Sequence, residues 1–83
     1  MPRFFFDTHD GDHLTADEEG LDLDGIEQAR DEAVRALPDL AHDTLPDGDR
    51  RSFAVTVRDE SGKAVLTATL ILRVEPSRTE RPP

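Results

Sequence analysis

The stretch from Ser52 to Val74, SFAVTVRDESGKAVLTATLILRV, most narrows what this chain can fold into. Apolar and polar residues alternate on either side of Ser61-Gly62, the period of a strand whose successive side chains point to opposite faces. A slip of one residue moves every side chain to the other face, so the pattern selects one register. That register is an even loop around Ser61-Gly62. It sets Val57 opposite Leu66, Val55 opposite Ala68 and Phe53 opposite Leu70 on an inner face, with Glu60 facing Lys63. The outer face receives Ala54, Thr56, Val65, Thr67, Thr69 and Ile71 and is dry for a surface in water. The last strand is apolar on both sides, which predicts a place inside a sheet rather than at its edge.

The opening stretch, RFFFDTHDGDHLTADEEG from Arg3 to Gly20, reads as a second ribbon. A three-residue loop, His9-Asp10-Gly11, would place glycine at the left-handed position that this loop class needs. It pairs Phe6 with Leu14 and Phe4 with Ala16 inside, and Arg3 with Asp17, Phe5 with Thr15 and Asp7 with His13 outside. A helix is expected from near Asp24, where Asp24 and Glu27 have capping-box spacing. Its buried stripe is Ile26, Ala29, Ala33, Leu37, Leu40 and Ala41. Pro38 removes the amide that would bond to Val34 and predicts a kink or break near Leu37. LPDGDRR, from Leu45 to Arg51, is turn chemistry, and PSRTERPP has no apolar residue beyond proline.

The expected architecture is therefore a single α+β domain over residues 1–75 with a disordered tail over 76–83. It is a two-layer ββ-α-ββ arrangement, a four-stranded, mostly antiparallel sheet with one helix, kinked or broken at Pro38, packed on one face. The expected strand order puts the last strand beside the first and parallel to it. The opening strand of the second ribbon and the closing strand of the first then form the edges.

With 83 residues and no cysteine, neither a disulfide framework nor a thiolate metal site can staple the fold. A chain this short buries only about 60% of its unfolded surface, so stability is expected to be marginal or helped by a partner. No signal-peptide pattern and no apolar run of membrane-spanning length is present, so a cytoplasmic protein without membrane contact is expected. The formal charge of −9 is uneven. Residues 1–49 carry fifteen acids and three bases, whereas residues 50–83 carry four acids and seven bases. Such an acidic half argues against direct nucleic-acid binding, because each phosphate contact needs a lysine or arginine.

Candidate chemistry concentrates in the opening ribbon. In the expected register Asp7 and His13 are neighbours on the outer face, and His9 in the turn supplies a third group. Asp7, His9 and His13 thus form a candidate site for zinc or another divalent ion. The plain alternative is an exposed Asp7–His13 pair worth under about 1 kcal/mol. No catalytic residue is expected. There is no cysteine, Ser61 and Ser77 lie in a turn and a tail, and the glycines are too scattered to form a phosphate loop. No cofactor is expected either. Phe5, Ala54, Thr56, Val65, Thr67, Thr69 and Ile71 form a candidate interface, an apolar strip that a second copy or a protein partner would cover. The alternative is that interleaved threonines leave this face merely wet.

MPRFFFDTHDG, DEEG from Asp17 to Gly20, EQARDEAVRAL from Glu27 to Leu37 and LPDGDRRSFAVTVRDESGKAV from Leu45 to Val65 together resemble a family of short uncharacterised alphaproteobacterial proteins. The resemblance covers most of residues 1–74 and implies a domain of unknown function. Pro38 departs from the unbroken helix expected of that family. The passage from a hairpin through an acidic turn and glycine into a helix is also similar to HicB-like antitoxin domains. Three functions follow as expectations. The first is a small non-enzymatic dimerising or partner-binding module. The others are an acidic antitoxin-like regulator binding a basic partner, and a metal-binding protein using the first hairpin.

Overall fold

The computed structural model describes residues 1–43 and 50–77. In it, β1 (Arg3–Asp10), β2 (His13–Thr15), β3 (Leu21–Asp22), β4 (Arg50–Arg58) and β5 (Ala64–Arg73) form one open antiparallel sheet. The one helix among the described residues, α1 (Ile26–Asp43), packs over β4 and β5. The α+β class and the one-helix layer are as expected. The closing strand of the first ribbon, however, is split in two. β2 pairs with the far end of β1, β3 pairs with its start, and residues 16–20 bulge between them.

The strand order is β2-β1-β4-β5, which corrects the expected one. β4, not β5, lies beside β1 and runs antiparallel to it, with Phe6 opposite Val57 and Thr8 opposite Val55. β5 is therefore an edge strand. The cause is the crossover. β3 and β4 both run antiparallel to β1, hence parallel to one another, and α1 links them across it. Such crossovers are right-handed, and one pass of the helix returns the chain on the far side of β1. β5 can then pair only outside β4.

The inner face of the second ribbon has the expected register: Val57–Leu66, Val55–Ala68 and Phe53–Leu70. Its loop does not. A register shift between Val57 and Arg58 puts Arg58 opposite Ala64. The Asp59 amide donates to the Lys63 carbonyl at 2.9 Å and the Gly62 amide donates to the Asp59 carbonyl at 2.9 Å. The loop is thus the odd one, Glu60-Ser61-Gly62, and a one-residue bulge absorbs the change of parity. The first ribbon reverses in the opposite sense. Asp10 faces His13, His9 faces Leu14 and Thr8 faces Thr15, so the turn is the two-residue Gly11-Asp12. Gly11 has φ 61°, as the first central position of a II′ hairpin turn requires. The expected pairs Phe6–Leu14, Phe4–Ala16, Phe5–Thr15 and Asp7–His13 do not form.

Phe4, Phe53, Val55 and Val57 meet Ala29, Ala33 and Leu37 in the core, with Phe6, Leu66 and Ala68 packed around them. Two fully buried alanines one helical turn apart let α1 approach the sheet closely enough to exclude water from the valines. α1 runs unbroken through Pro38, so the expected break at Leu37 is absent. Pro38 and Val34 are both exposed, and water can serve the carbonyl that the proline leaves without a donor. The helix begins at Ile26, and it is Gln28 rather than Glu27 that reaches back to Asp24. The Asp24 amide donates to Gln28 Oε1 at 2.8 Å, and Gln28 Nε2 donates to Asp24 Oδ2 at 3.2 Å. The turn expected over LPDGD and the tail from residue 78 lie outside the described residues.

Candidate functional site

On the outer face of the sheet Asp7, one of the three residues expected to hold a metal, belongs to an ion-pair hub instead. Asp7 lies opposite Thr56 on β4, one step along from the Phe5–Arg58 pair. Arg58 Nε donates to Asp7 Oδ2 at 2.7 Å, and Arg58 Nη2 donates to Asp7 Oδ1 at 3.1 Å. The Asp17 amide donates to the same Asp7 Oδ1 at 2.9 Å. The Arg58 guanidinium also stacks over Phe5, 5.1 Å from the ring centroid, and donates to the Asp17 carbonyl at 3.1 Å.

Asp17 closes this hub from the bulge between β2 and β3. Its carboxylate accepts the amides of Phe6 at 3.1 Å, Glu19 at 3.0 Å and Gly20 at 3.2 Å. The carboxylate thus stands in for the missing ladder partner of Phe6. Gly20 lies so close to the sheet that a Cβ there would sit 2.9 Å from Phe5 Cε2 and 2.8 Å from Arg3 Cγ. Only glycine permits that approach. Arg3 completes the seam by donating to the Glu19 carbonyl and pairing with Asp22 at 3.1 Å. Sequence reasoning missed Arg58 and Asp17 as members of one site. The available signal was Asp17-x-x-Gly20, the pattern in which a carboxylate caps amides two and three residues on.

The hub accounts for the charge states found there. The Arg58 hydrogen bond, outweighing the cost of burial, holds the Asp7 carboxyl below the usual range, and the Asp17 amide adds to this. For Asp17, burial opposes ionisation, but the amides of Phe6, Glu19 and Gly20 together hold its carboxyl low. Both groups ionise more readily folded than unfolded, so their stabilisation is complete above the unfolded value of about 3.9 and is lost as pH falls through the folded value. The difference in urea midpoint between wild type and Asp7→Asn is therefore expected to be constant from pH 7 to about 5 and to close below about 4. A difference that widens in acid would contradict the assignment.

His9 lies two residues along from Asp7 and faces Ala54 and Leu14, while His13 faces Asp10 at the hairpin end. Among the described residues no group of three His, Asp or Glu side chains is placed to hold a metal ion. The structure thus separates His13 from Asp7, and it occupies both Asp7 oxygens with hydrogen-bond donors.

The seven candidate interface residues do not form one strip. Phe5 is half-buried beneath Arg58 and the residue 17–20 bulge, and Val65, at the β5 bulge, packs against the core. Ala54 is half-buried, and Thr56 exchanges a hydroxyl hydrogen bond with Thr67 at 3.3 Å. Exposure concentrates instead on β5, at Thr67, Thr69 and Ile71. Leu70 on the helix side is 39% exposed, Ile71 on the outer side 59%, and Val74 just beyond is 54% exposed.

The backbone of β5 is open as well. The Gly11 amide donates to the Ser52 carbonyl, so the even-numbered residues of β4 bond toward β1 and the odd-numbered ones toward β5. Phe53, Val55 and Val57 therefore engage Leu70, Ala68 and Leu66. The amides and carbonyls of Thr67, Thr69, Ile71 and Arg73 point to the free edge. Among the described residues no strand pairs there.

A family model described as "Domain of unknown function (DUF6894)" matches residues 3–71 of the chain. The match bears on neither an alphaproteobacterial source nor the HicB-like similarity. The chain matches no curated protein and no solved structure.

Proposed function

The chain belongs to the DUF6894 family, and we propose that it is a small non-enzymatic protein-binding module whose contact is the free edge of β5. The observation that carries this is a ten-residue edge strand, AVLTATLILR, that bears no charge on either face before Arg73 and is backed by an intact sheet. An exposed edge of this kind is a template for another strand, and proteins ordinarily blunt it with proline, lysine or an inward charge. β5 has none of these along its length. Its single charge, Arg73, stands at the end. Strand addition would satisfy the outward amides and carbonyls and cover Leu70 and Ile71 together. The hub at Asp7, Asp17 and Arg58 keeps the opposite side of the sheet closed, since residues 16–20 fold back over β1. Neither the basic-partner reading nor the metal reading gains an observation from this geometry.

The test is amide hydrogen exchange by NMR with a synthetic peptide of residues 63–75 in excess over dilute protein. Thr67, Thr69, Ile71 and Arg73 are expected to be protected, and the neighbouring loop amides to be unchanged. Exchange of all four at unprotected rates in the presence of excess peptide would overturn the reading.

A further inference from the structure

On the opposite side of the sheet from β5, we infer that residues 12–22 form a strap over β1 that is latched at Asp17 and opens as a unit while α1, β4 and β5 stay folded. Shut, it covers β1 with two short strands and the bulge between them. Open, it turns the eight-residue β1 into a second long edge. Three observations carry this: the burial of the segment, the way it is held, and the parity of the β1 backbone groups.

Between Gly11 and Leu23 no residue is buried, and only Asp17 and Gly20 are half-buried. Even Leu14 and Leu21 are largely exposed. Closing the strap therefore draws little on apolar burial, which is the condition for a segment to open well below the free energy of global unfolding. The residues flanking it are fixed. The Gly11 amide donates to the Ser52 carbonyl at 3.0 Å, the Leu23 amide donates to the Pro2 carbonyl at 2.9 Å, and Leu23 packs against the core.

Between these anchors the strap is held at one residue above all. The Asp17 amide donates to Asp7, its carbonyl accepts from Arg58, and its carboxylate accepts the amides of Phe6, Glu19 and Gly20. Arg58 is the pin, because from β4 it grips Asp7 on β1 and Asp17 on the strap at once. Backbone pairing adds only the three residues of β2 and the two of β3. The amides of β1 alternate between the two sides. The Phe6 amide goes to Asp17 and the Pro2 carbonyl accepts from Leu23, so even-numbered residues bond toward the strap, whereas the Gly11 contact with Ser52 puts odd-numbered ones toward β4. One strand thus reports on the strap and on the core separately.

Native-state hydrogen exchange by NMR tests the strap. The amides of Phe6, Thr8 and Thr15 are expected to share one opening and to be at least tenfold less protected than those of Phe5, Asp7 and His9. Ala33→Gly loosens the core beneath α1, so it is expected to lower protection of the second set about tenfold and to leave the first unchanged. Arg58→Gln is expected to lower protection of the first set at least tenfold. Gly20→Ala, whose methyl would sit 2.9 Å from Phe5 Cε2, is expected to do the same without touching the ion pair. Thr8 and Thr15 face each other, and in a hydrogen-bonded pair their Cα atoms are about 5.5 Å apart, within disulfide range. In Thr8→Cys/Thr15→Cys, oxidation is expected to bring the first set up to the protection of the second, and reduction to separate them again. One common protection level in wild type, a first set that Ala33→Gly shifts along with the second, or an oxidised double variant that keeps the two levels apart would overturn the strap. A first set unmoved by both Arg58→Gln and Gly20→Ala would overturn the latch at Asp17. None of these amides lies on β5, so either result leaves strand addition there to its own test.

Discussion

Phe53→Ala is expected to be the most damaging single substitution at any one side chain, costing about 3–5 kcal/mol. Phe53 is 2% exposed and sits where β4 meets both Leu70 on β5 and Asp10 on β1. Its ring fills the layer between sheet and helix within the buried cluster that includes Ala29, Ala33 and Leu37. The Arg51 guanidinium lies over the ring at 5.9 Å while its Nε donates to Asp10 Oδ1 at 2.7 Å, so the truncation also removes the surface that this ion pair rests on. A chain of 83 residues has about 4–12 kcal/mol of total stability, so the loss removes a large share of it. Urea denaturation followed by circular dichroism measures it. The control is Phe5→Ala, whose ring is half-buried on the outer face and covered mainly by Arg58, with an expected loss of about 1–2 kcal/mol. A Phe5 variant less stable than the Phe53 variant would mean that the helix packs on the other face.

That contrast shows how far the sequence could be read. Alternation in β4 and β5 extends over many residues on each strand, so the facing of Phe53, Val55, Val57, Leu66 and Ala68 follows from it with little freedom. The loops were not legible by the same means. Both ribbons contain a glycine able to take a left-handed conformation, and hydrophobic parity alone assigned the odd loop to the first and the even loop to the second. The structure has them the other way round, because the bulge between Val57 and Arg58 resets parity without disturbing the pairs beyond it. In the first ribbon, β2 is only three residues long. Leu14 was its sole strongly apolar marker, and it lies on the outer face opposite His9. One residue carries too little hydrophobic energy to fix a register against the turn and the Asp17 contacts.

The misplacement of β5 has a different origin. A strand apolar on both sides normally belongs inside a sheet, and within one chain that rule fails because the crossover from β3 to β4 fills the place beside β1. The rule and the topology are reconciled if strand addition makes β5 interior. The dry outer positions Thr67, Thr69 and Ile71, read from sequence as part of a face, then act as part of an edge. Charge agrees with this placement. The acid-rich residues belong to the β1–β2–β3 side and to α1, whereas β4 and β5 carry four arginines and no acid, so a strand added at β5 meets the least acidic edge of the sheet.

Asp17→Ala is the second large effect expected, about 2–3 kcal/mol, and it tests whether the DEEG segment is a structural clasp rather than a solvated acidic turn. A surface aspartate in an acidic run would cost little to remove and could even stabilise by relieving repulsion, since Asp7 lies close by and opposes its ionisation. The geometry predicts the reverse sign. Removing the carboxylate leaves the amides of Phe6, Glu19 and Gly20 without their acceptor, and those of Phe6 and Gly20 are part-buried. Once residues 17–20 lift away, the Asp17 amide no longer supports Asp7, and Arg58 loses the Asp17 carbonyl. Asp17→Asn separates charge from shape. It keeps one acceptor oxygen while ending the repulsion with Asp7, so its loss is expected to be about half that of alanine. Urea midpoints rank the two, and hydrogen exchange at the Phe6 amide locates the effect, with protection falling in the alanine variant ahead of the β4 amides. A Phe6 amide as protected in Asp17→Ala as in wild type, with stability unchanged to within about 0.5 kcal/mol, would show that β1 holds its edge without the clasp.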